Sequence, residues 1–152
     1  SRGATHAMTV ARFRADAMAD GDLSAPERFC RGGWGEGCKA VDLFRIGAPE
    51  FSVHVDARGR WVWVGGGGYG STNIVWRVAP APEGPWSDPT DVLRPPESFR
   101  DGAFVYAAKA HPELDGGDGS LVVTYVPAGF GDFPDALDGV YYNPFFARVW
   151  LE

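Results

Sequence analysis

Short runs of alternating apolar and polar residues recur along the chain, with hardly any helical periodicity between them. Alternation with a period of two is typical of β-strands that bury one face. The pattern predicts strands at Thr9–Phe13, Phe51–Val55, Trp61–Val64, Asn73–Val78, Val105–His111, Leu121–Val126 and Phe145–Leu151. One turn of helix is expected within Phe13–Leu23. The chain is therefore predicted to be all-β.

Two turn sequences indicate that consecutive strands are joined as hairpins. Asp56–Gly59 and Asp115–Gly119 each lie between two apolar runs and are rich in Asp and Gly. These residues favour tight reversals, because Gly adopts positive φ angles readily and Asp bonds to the nearby backbone. We therefore expect antiparallel strands in sequential order.

A faint internal repeat predicts how the sheets are arranged. Val10–Phe13, Val75–Val78 and Phe146–Val149 share one residue pattern, with arginine at the third position of each copy. Two strands in hairpin order precede the second and third copies, so each repeat holds about four strands, like one blade of a β-propeller. The sequence predicts a β-propeller fragment of about two and a half antiparallel four-stranded blades. A β-sandwich is the alternative.

An incomplete ring of blades has a consequence for the partners of the chain. About two and a half blades are too few to close a ring, and an open ring leaves strand edges and an apolar blade face bare. Residues 1–152 are therefore expected to form the C-terminal part of a single β-propeller domain. The missing N-terminal blades of the same protein are the expected partner.

Composition and charge narrow the range of ligands. The chain has a formal net charge of −6 at pH 7, whereas nucleic-acid binding requires a surface that neutralises phosphates. No apolar run approaches the ~20 residues that span a bilayer. We expect no nucleic-acid partner and no membrane insertion. A neutral polysaccharide or oligosaccharide is compatible with the acidic balance.

The two cysteines bear on the cellular compartment. Cys30 and Cys38 lie in one Gly-rich loop. A small loop disulfide is the simplest interpretation, and it implies an oxidising compartment. Two free thiols are the alternative. A zinc site is disfavoured, because a second pair of ligands is missing from this part of the sequence.

Several short motifs resemble a known family. They are Pro49–His54, Gly59–Trp61, Arg77–Ala79, Glu83–Trp86, Tyr106–Glu113 and Tyr142–Phe146. Together they resemble the C-terminal half of a secreted bacterial five-bladed β-propeller family, formerly a domain of unknown function, that includes endo-D-arabinanases. The resemblance implies a secreted or extracytoplasmic glycoside hydrolase with five blades. Its substrate would be a furanose-containing cell-wall or plant polysaccharide such as arabinan, and its main catalytic carboxylates would lie upstream of Ser1.

Glu50 is the first candidate catalytic residue. Hydrolysis of a glycosidic bond normally uses two carboxyl groups, one as acid and one as base or nucleophile. Glu50 begins a strand that would line the central channel of a propeller, and alternation puts it on one face with Ser52 and His54. The alternative is a loop glutamate that caps a turn or pairs with an arginine.

His111 is the second candidate catalytic residue, and it lies at the end of a predicted strand just before Pro112. Histidine is the usual acid, base or metal ligand near neutral pH. By the resemblance, His111 matches a histidine that faces a bound ion in the central cavity. It is therefore also the candidate metal ligand, with calcium or another ion as the candidate cofactor. The alternative is a core histidine that is hydrogen-bonded to the backbone.

The candidate substrate-binding residues are mainly aromatic, because exposed rings stack on sugar rings. They are Trp34, His54, Tyr69, Tyr125 and Tyr142. Tyr69 lies within Gly65–Gly70, which matches a nucleotide-binding glycine pattern, but the residues that follow are strand-like rather than helical. A nucleotide site is therefore rejected, and a flexible hairpin tip is the alternative to sugar binding. At the level of the whole chain, the alternative function is a noncatalytic carbohydrate-binding or scaffold propeller.

The other tryptophans are expected to pack in the core. They are Trp61, Trp63, Trp76, Trp86 and Trp150. The repeated arginines Arg12, Arg77 and Arg148 are expected to have structural roles between blades.

Overall fold

The computed structural model describes residues 6–114, 117–129 and 143–150. These ranges contain short strands and one short helix, α1 (Ala15–Ala19). The strands are β1 (Ala11–Arg12), β2 (Glu27–Cys30), β3 (Gly33–Gly35), β4 (Phe51–Val55), β5 (Trp61–Gly66), β6 (Ile74–Ala79), β7 (Thr90–Leu93), β8 (Ala103–His111), β9 (Ser120–Gly129) and β10 (Phe145–Trp150). Single 3₁₀ turns at Pro96–Phe99 and Pro112–Leu114 flank β8.

The strands form three antiparallel sheets in chain order. The first sheet is β1-β2-β3, the second is β4-β5-β6-β7, and the third is β8-β9-β10. Each strand pairs with the strand that follows it in the sequence, so every sheet is a meander. The prediction of an all-β chain with sequential antiparallel strands is confirmed.

The predicted strands are all present, and their ends differ by a few residues. Thr9–Phe13 shortens to the two residues of β1, and the predicted helical turn is confirmed as α1. The turn at Asp56–Gly59 is also confirmed, because the Asp56 N–H donates to the Arg60 carbonyl at 2.9 Å. The Asp115–Gly119 turn includes residues outside the described ranges. Strands β2, β3 and β7 were not predicted.

The main core lies between the second and third sheets. Alternation on β5 and β6 turns one set of apolar side chains towards β8, β9 and β10, whose own inward side chains meet them. This core contains Val62, Val64, Ile74, Trp76, Val105, Ala108, Ala110, Leu121, Val123, Tyr125 and Val149. Burial of apolar area on this scale is the main force that joins the two sheets.

A second, smaller cluster covers the opposite face of the second sheet. Trp63 is 1% exposed and packs edge-on against Phe44, with ring centroids 5.5 Å apart. Arg77 is buried beside it, with its guanidinium 4.5 Å from the Phe44 ring centroid and its Nη1 donating to the Ser87 carbonyl at 2.7 Å. Its Nη2 also donates to the Arg45 carbonyl at 3.4 Å. The contacts of Arg77 are therefore structural, and its expected position between blades stays a prediction.

Trp150 corrects one expectation about the core. Its side chain is 64% exposed. Because β10 alternates, Phe145 and Val149 face the main core, whereas Phe146 and Trp150 face the other way. The sequence pattern alone did not reveal which of the two alternate sets of β10 residues faces the core.

A disulfide links the end of β2 in the first sheet to the loop that follows β3. Cys30 and Cys38 are bonded, with their Cα atoms 6.4 Å apart, so the predicted pairing is confirmed. Arg12 of β1 forms an ion pair with Glu27 of β2 at 2.7 Å. The described ranges contain no helix that is long and apolar enough to cross a membrane.

Candidate functional site

Strands β4 and β8 lie side by side and run in the same direction. The Ala110 N–H of β8 donates to the Ser52 Oγ of β4 at 2.7 Å. Glu50, before β4, shares a cleft with Ala107 of β8, whereas His54, near the end of β4, shares another cleft with Pro112. The beginnings of the two strands therefore meet at one end of the molecule, and their ends meet at the other.

The cleft at the beginning of these strands brings together two predicted site residues. This aromatic cleft has a volume of about 190 Å³. It is lined by Ala48, Pro49, Glu50, Gly66, Gly68, Tyr69, Gly70, Phe104, Val105, Tyr106 and Ala107. Glu50 is partly buried, and Tyr69 is 73% exposed. The rings of Phe104 and Tyr106 lie 6.1 Å apart and tilted by 43°.

A β-bulge shapes the wall that β8 contributes. The register of β8 against β9 shifts between Tyr106 and Lys109, and Ala107 within the shift has a φ of 53°. A bulge bends its strand and changes the direction of the neighbouring side chains, and bulges are common next to active sites. Phe104 and Tyr106 therefore precede the bend and line the cleft, and Lys109 follows it.

The glycine-rich loop forms the opposite wall. The Val105 N–H donates to the Ser71 carbonyl at 2.9 Å and so ties this loop to β8. Gly68 has a φ of 123°, which side chains rarely tolerate. At Gly66, by contrast, an added Cβ would meet only the Val105 carbonyl oxygen, at 3.8 Å. Gly66 is buried, but its backbone lines the cleft and leaves space there for one added methyl group.

Glu50 and His111 do not share this cleft. Glu50 lines the aromatic cleft, whereas His111 is not among the residues that line it. A joint catalytic role for these two residues stays a prediction.

A second cleft at the other end of β4 and β8 contains His54. This histidine cleft has a volume of about 270 Å³ and is lined by His54, Val55, Asp56, Ala57, Arg58, Arg60, Pro112, Gly119, Ser120 and Leu121. Burial lowers the pKa of His54, while the negative charges of Asp56 and Glu113 act in the opposite direction. The Nδ1 of His54 is buried and has no hydrogen-bond partner among the described residues.

Both ring nitrogens of His111 are already hydrogen-bonded. Nδ1 lies 2.9 Å from Glu113 Oε1, and Nε2 lies 2.8 Å from Thr124 Oγ1. A backbone hydrogen bond and the bond from His111 lower the pKa of Glu113, so this carboxylate accepts the Nδ1 proton. In the neutral ring, Nε2 then accepts from the Thr124 hydroxyl. His111 therefore bonds to side chains, and not to the backbone as the alternative expectation held.

The described residues alone do not assemble a metal site of acidic, histidine or cysteine side chains. They include no group of three His, Cys, Asp or Glu side chains that could hold a metal ion. At His111, the bond from Nδ1 to Glu113 is one that metal-ligating histidines also make, whereas Nε2 is bonded to the Thr124 hydroxyl. The candidate calcium or other ion at His111 stays a prediction.

Tyr125 corrects one expectation about substrate binding. It is 4% exposed, its ring stacks on Phe145 at 5.8 Å, and its hydroxyl donates to Glu97 Oε2 at 3.1 Å. Burial, followed by the contact with Glu97, raises the pKa of Tyr125 to about 12. A ring this deeply buried cannot stack on a sugar, because almost none of its surface is accessible.

The remaining predicted aromatic residues are placed as follows. Trp34 lies in the first sheet, with the Arg12 guanidinium 4.5 Å from its ring centroid and Phe29 at 5.6 Å, and it lines neither the aromatic nor the histidine cleft. Tyr142 lies outside the described residues. The aromatic cleft also contains Phe104 and Tyr106, which were not predicted as site residues. Their spacing of two residues showed that both lie on one face of the strand, but it could not show whether that face would line a cleft or be packed in the core.

Two comparisons of the sequence with known proteins find no match. The chain matches no family model, and none of the curated proteins is similar to it. Its function must therefore be inferred from the chemistry of its clefts.

Proposed function

We propose that this chain binds a carbohydrate, a furanose-containing polysaccharide or oligosaccharide, in the aromatic cleft. The observation that carries the proposal is the arrangement of Tyr69, Phe104, Tyr106 and Glu50 around one cleft at the beginnings of β4 and β8. Sugar rings have apolar C–H faces and polar hydroxyl edges. Aromatic rings complement the faces, and a carboxylate accepts hydrogen bonds from the hydroxyls.

The charge of the chain also supports a neutral ligand. A net charge of −6 repels phosphorylated or strongly acidic ligands over the range of a Debye length. In the aromatic cleft, Glu50 is the one ionisable carboxyl group among the described lining residues. Neutral sugars carry no charge to be repelled, and their hydroxyl groups are donors for this carboxylate.

The arrangement of the sheets supports a propeller as the setting of this cleft. Three consecutive meanders follow one another, and the first strands of the second and third sheets lie side by side in the same direction. In a propeller, the innermost strands of adjacent blades have this relation. We propose that the sheets are consecutive blades and that the cleft opens where their inner strands begin. The Cys30–Cys38 disulfide fits an extracellular compartment for such a protein.

Hydrolysis is the second candidate function, and Glu50 is the observation that favours it. A glycosidase needs a second carboxyl group about 5–9.5 Å from the first. The described lining of the cleft supplies Glu50 alone. Catalysis in this cleft therefore requires a second acid from outside its described lining, whereas binding does not.

Changes in the lining of the cleft should weaken binding without disturbing the fold. Gly66→Ala adds a methyl group to an uncrowded backbone position, and we expect it to weaken binding of a linear arabinofuranose hexasaccharide at least about tenfold. Tyr69→Ala should weaken binding about fivefold, because it removes one stacking ring worth about 1 kcal/mol. Isothermal titration calorimetry with the full chain measures both changes.

Matched variants and a second assay make this test decisive. Gly35→Ala is the control, because an added Cβ there meets only Cys38 Sγ, at an ordinary 3.5 Å, and Gly35 does not line the cleft. Equal affinities for Gly66→Ala, Tyr69→Ala and the wild type would contradict the proposed site. Release of reducing sugar by the wild type, and its loss in Glu50→Gln, would establish the hydrolase function instead of binding alone.

A further inference from the structure

A third cleft lies on the other side of the glycine-rich loop. This polar cleft has a volume of about 220 Å³ and is lined by Ile46, Gly67, Ser71, Asn73, Val75, Pro89 and Asp91. Gly66 and Gly68 line the aromatic cleft, while Gly67 between them lines the polar cleft. Consecutive Cα atoms are about 3.8 Å apart. The wall that separates the two clefts is therefore a single strand of glycine backbone.

The polar cleft presents an ordered set of hydrogen-bonding groups. Asn73 Nδ2 donates to Asp91 Oδ2 at 2.9 Å, and the Thr72 hydroxyl donates to Asn73 Oδ1 at 3.1 Å. Ser71 Oγ donates to the Asn73 carbonyl at 3.2 Å and accepts from its N–H at 3.1 Å. These bonds orient the Asp91 carboxylate and leave its Oδ1 outside the bond with Asn73. A carboxylate held in this way can accept a sugar hydroxyl with little loss of side-chain entropy.

The loop between the clefts is accessible on its Tyr69 side. Gly66, Gly67 and Gly68 carry no side chains, and Tyr69 beside them is exposed. On the polar side the protein itself packs against the loop, because a Cβ on Gly67 would meet Ser71 Oγ at 2.8 Å and a Cβ on Gly68 would meet Ile46 Cγ2 at 3.1 Å. An extended ligand would therefore cross the loop over its exposed Tyr69 side.

We infer that the ligand is a linear chain of several sugar residues that crosses the glycine-rich loop and occupies the aromatic and polar clefts together. This inference rests on the proposed carbohydrate function. The aromatic cleft binds sugar faces, and the polar cleft binds hydroxyl groups through Asp91. A short oligosaccharide occupies the aromatic cleft alone, whereas a longer one gains the second set of contacts, so affinity rises with chain length.

The test compares short and long ligands with the full chain. Linear arabinofuranose oligosaccharides of two and six residues are titrated into the wild type, Asp91→Asn and Tyr69→Ala by calorimetry. Asp91→Asn keeps the shape of the side chain and removes its charge. We expect it to lower the affinity for the hexasaccharide about tenfold and to leave the affinity for the disaccharide unchanged. Tyr69→Ala should weaken both ligands.

The outcomes separate this inference from the proposal on which it rests. Asp88→Asn, an exposed aspartate that lines neither cleft, is the matched control and should bind as the wild type does. Equal wild-type affinity for the two ligands, or an Asp91→Asn variant with normal hexasaccharide binding, would overturn the spanning ligand while carbohydrate binding stands. Absence of wild-type binding to either ligand would overturn both. Circular dichroism of each variant confirms that the fold is retained.

Discussion

Two residues other than glycine have positive φ angles in the described part of the chain, and each lines a cleft. Ile46 has a φ of 64° and lines the polar cleft, and Ala107 has a φ of 53° and lines the aromatic cleft. This conformation costs an L-residue of order 1–3 kcal/mol, more for a β-branched side chain, and such strain collects at functional sites. The positions of backbone strain therefore point to the aromatic and polar clefts, the same two clefts whose side chains suit carbohydrate binding.

Replacing these residues by glycine should relieve the strain. We expect Ile46→Gly to raise the free energy of unfolding by about 1 kcal/mol, and Ala107→Gly to raise it by less, because Ala is not β-branched. Urea unfolding measures both changes. Val53→Gly is the control, since Val53 is an exposed β-branched residue in a regular strand and its replacement should destabilise the protein. A loss of stability in Ile46→Gly equal to that in Val53→Gly would mean that Ile46 is not strained.

At the scale of single residues, the sequence predicted which side chains suit a binding site better than it predicted whether those side chains are accessible. Glu50 and Tyr69 were predicted from strand position and a glycine-rich loop, and the structure places both at one cleft. Tyr125 was predicted to be open, but Phe145 and Glu97 enclose it from distant parts of the chain. Local pattern shows what a side chain can do, whereas contacts between remote segments decide whether it is accessible.

At the scale of elements, the first sheet depends on its disulfide more than on a core. Its strands are short, and none of their residues belongs to either core cluster found among the described residues. Reduction frees a loop of about nine residues, and the loss of the cross-link should cost about 2.5 kcal/mol in a chain-entropy estimate. The sheet is therefore expected to be a local unit whose stability is separable from that of the other two.

Removal of the disulfide should consequently loosen one sheet alone. In the Cys30→Ser/Cys38→Ser variant, we expect amides of Glu27–Cys30 and Gly33–Gly35 to exchange with solvent much faster, while amides of Trp61–Gly66 keep their protection. Hydrogen exchange followed by mass spectrometry or NMR measures both groups. Equal loss of protection in β5 would show that the first sheet supports the whole fold, contrary to this expectation.

Length, together with burial, explains most of which elements could be predicted. Strands β4, β5, β6, β8, β9 and β10 contribute side chains to the cores, and their apolar patterns predicted them. Strands β2, β3 and β7 are three or four residues long and partly exposed, so they carry too little apolar periodicity, although Val92 and Leu93 of β7 pack against the main core. The bulge near Ala107 also has no local sequence signal, since it arises from the register of β8 against β9.

At the scale of the whole molecule, the second sheet joins the other parts. Its Val62 and Ile74 enter the main core with β8–β10, and its Trp63 and Val75 enter the second cluster. The contact of β4 with β8 adds one polar junction, which contains Ser52 in the middle and His54 near the end. Since the packed faces are shared, the second and third sheets are expected to unfold as one cooperative unit.

The His54 junction should make the stability of this unit sensitive to mild acid. Burial lowers the pKa of His54 below its ordinary 6.5 despite the opposing charges of Asp56 and Glu113, so the unfolded chain binds a proton at a higher pH than the folded chain. The free energy of unfolding should therefore fall as the pH drops from 7 to about 5, above the range in which ordinary carboxyl groups titrate. Urea unfolding across this range measures the slope. In His54→Gln the slope of stability against pH should be shallower. The control is His6→Gln, which lies outside the junction and should keep the wild-type slope. Equal slopes in the wild type and His54→Gln would show that His54 is protonated in the folded protein as readily as in the unfolded chain.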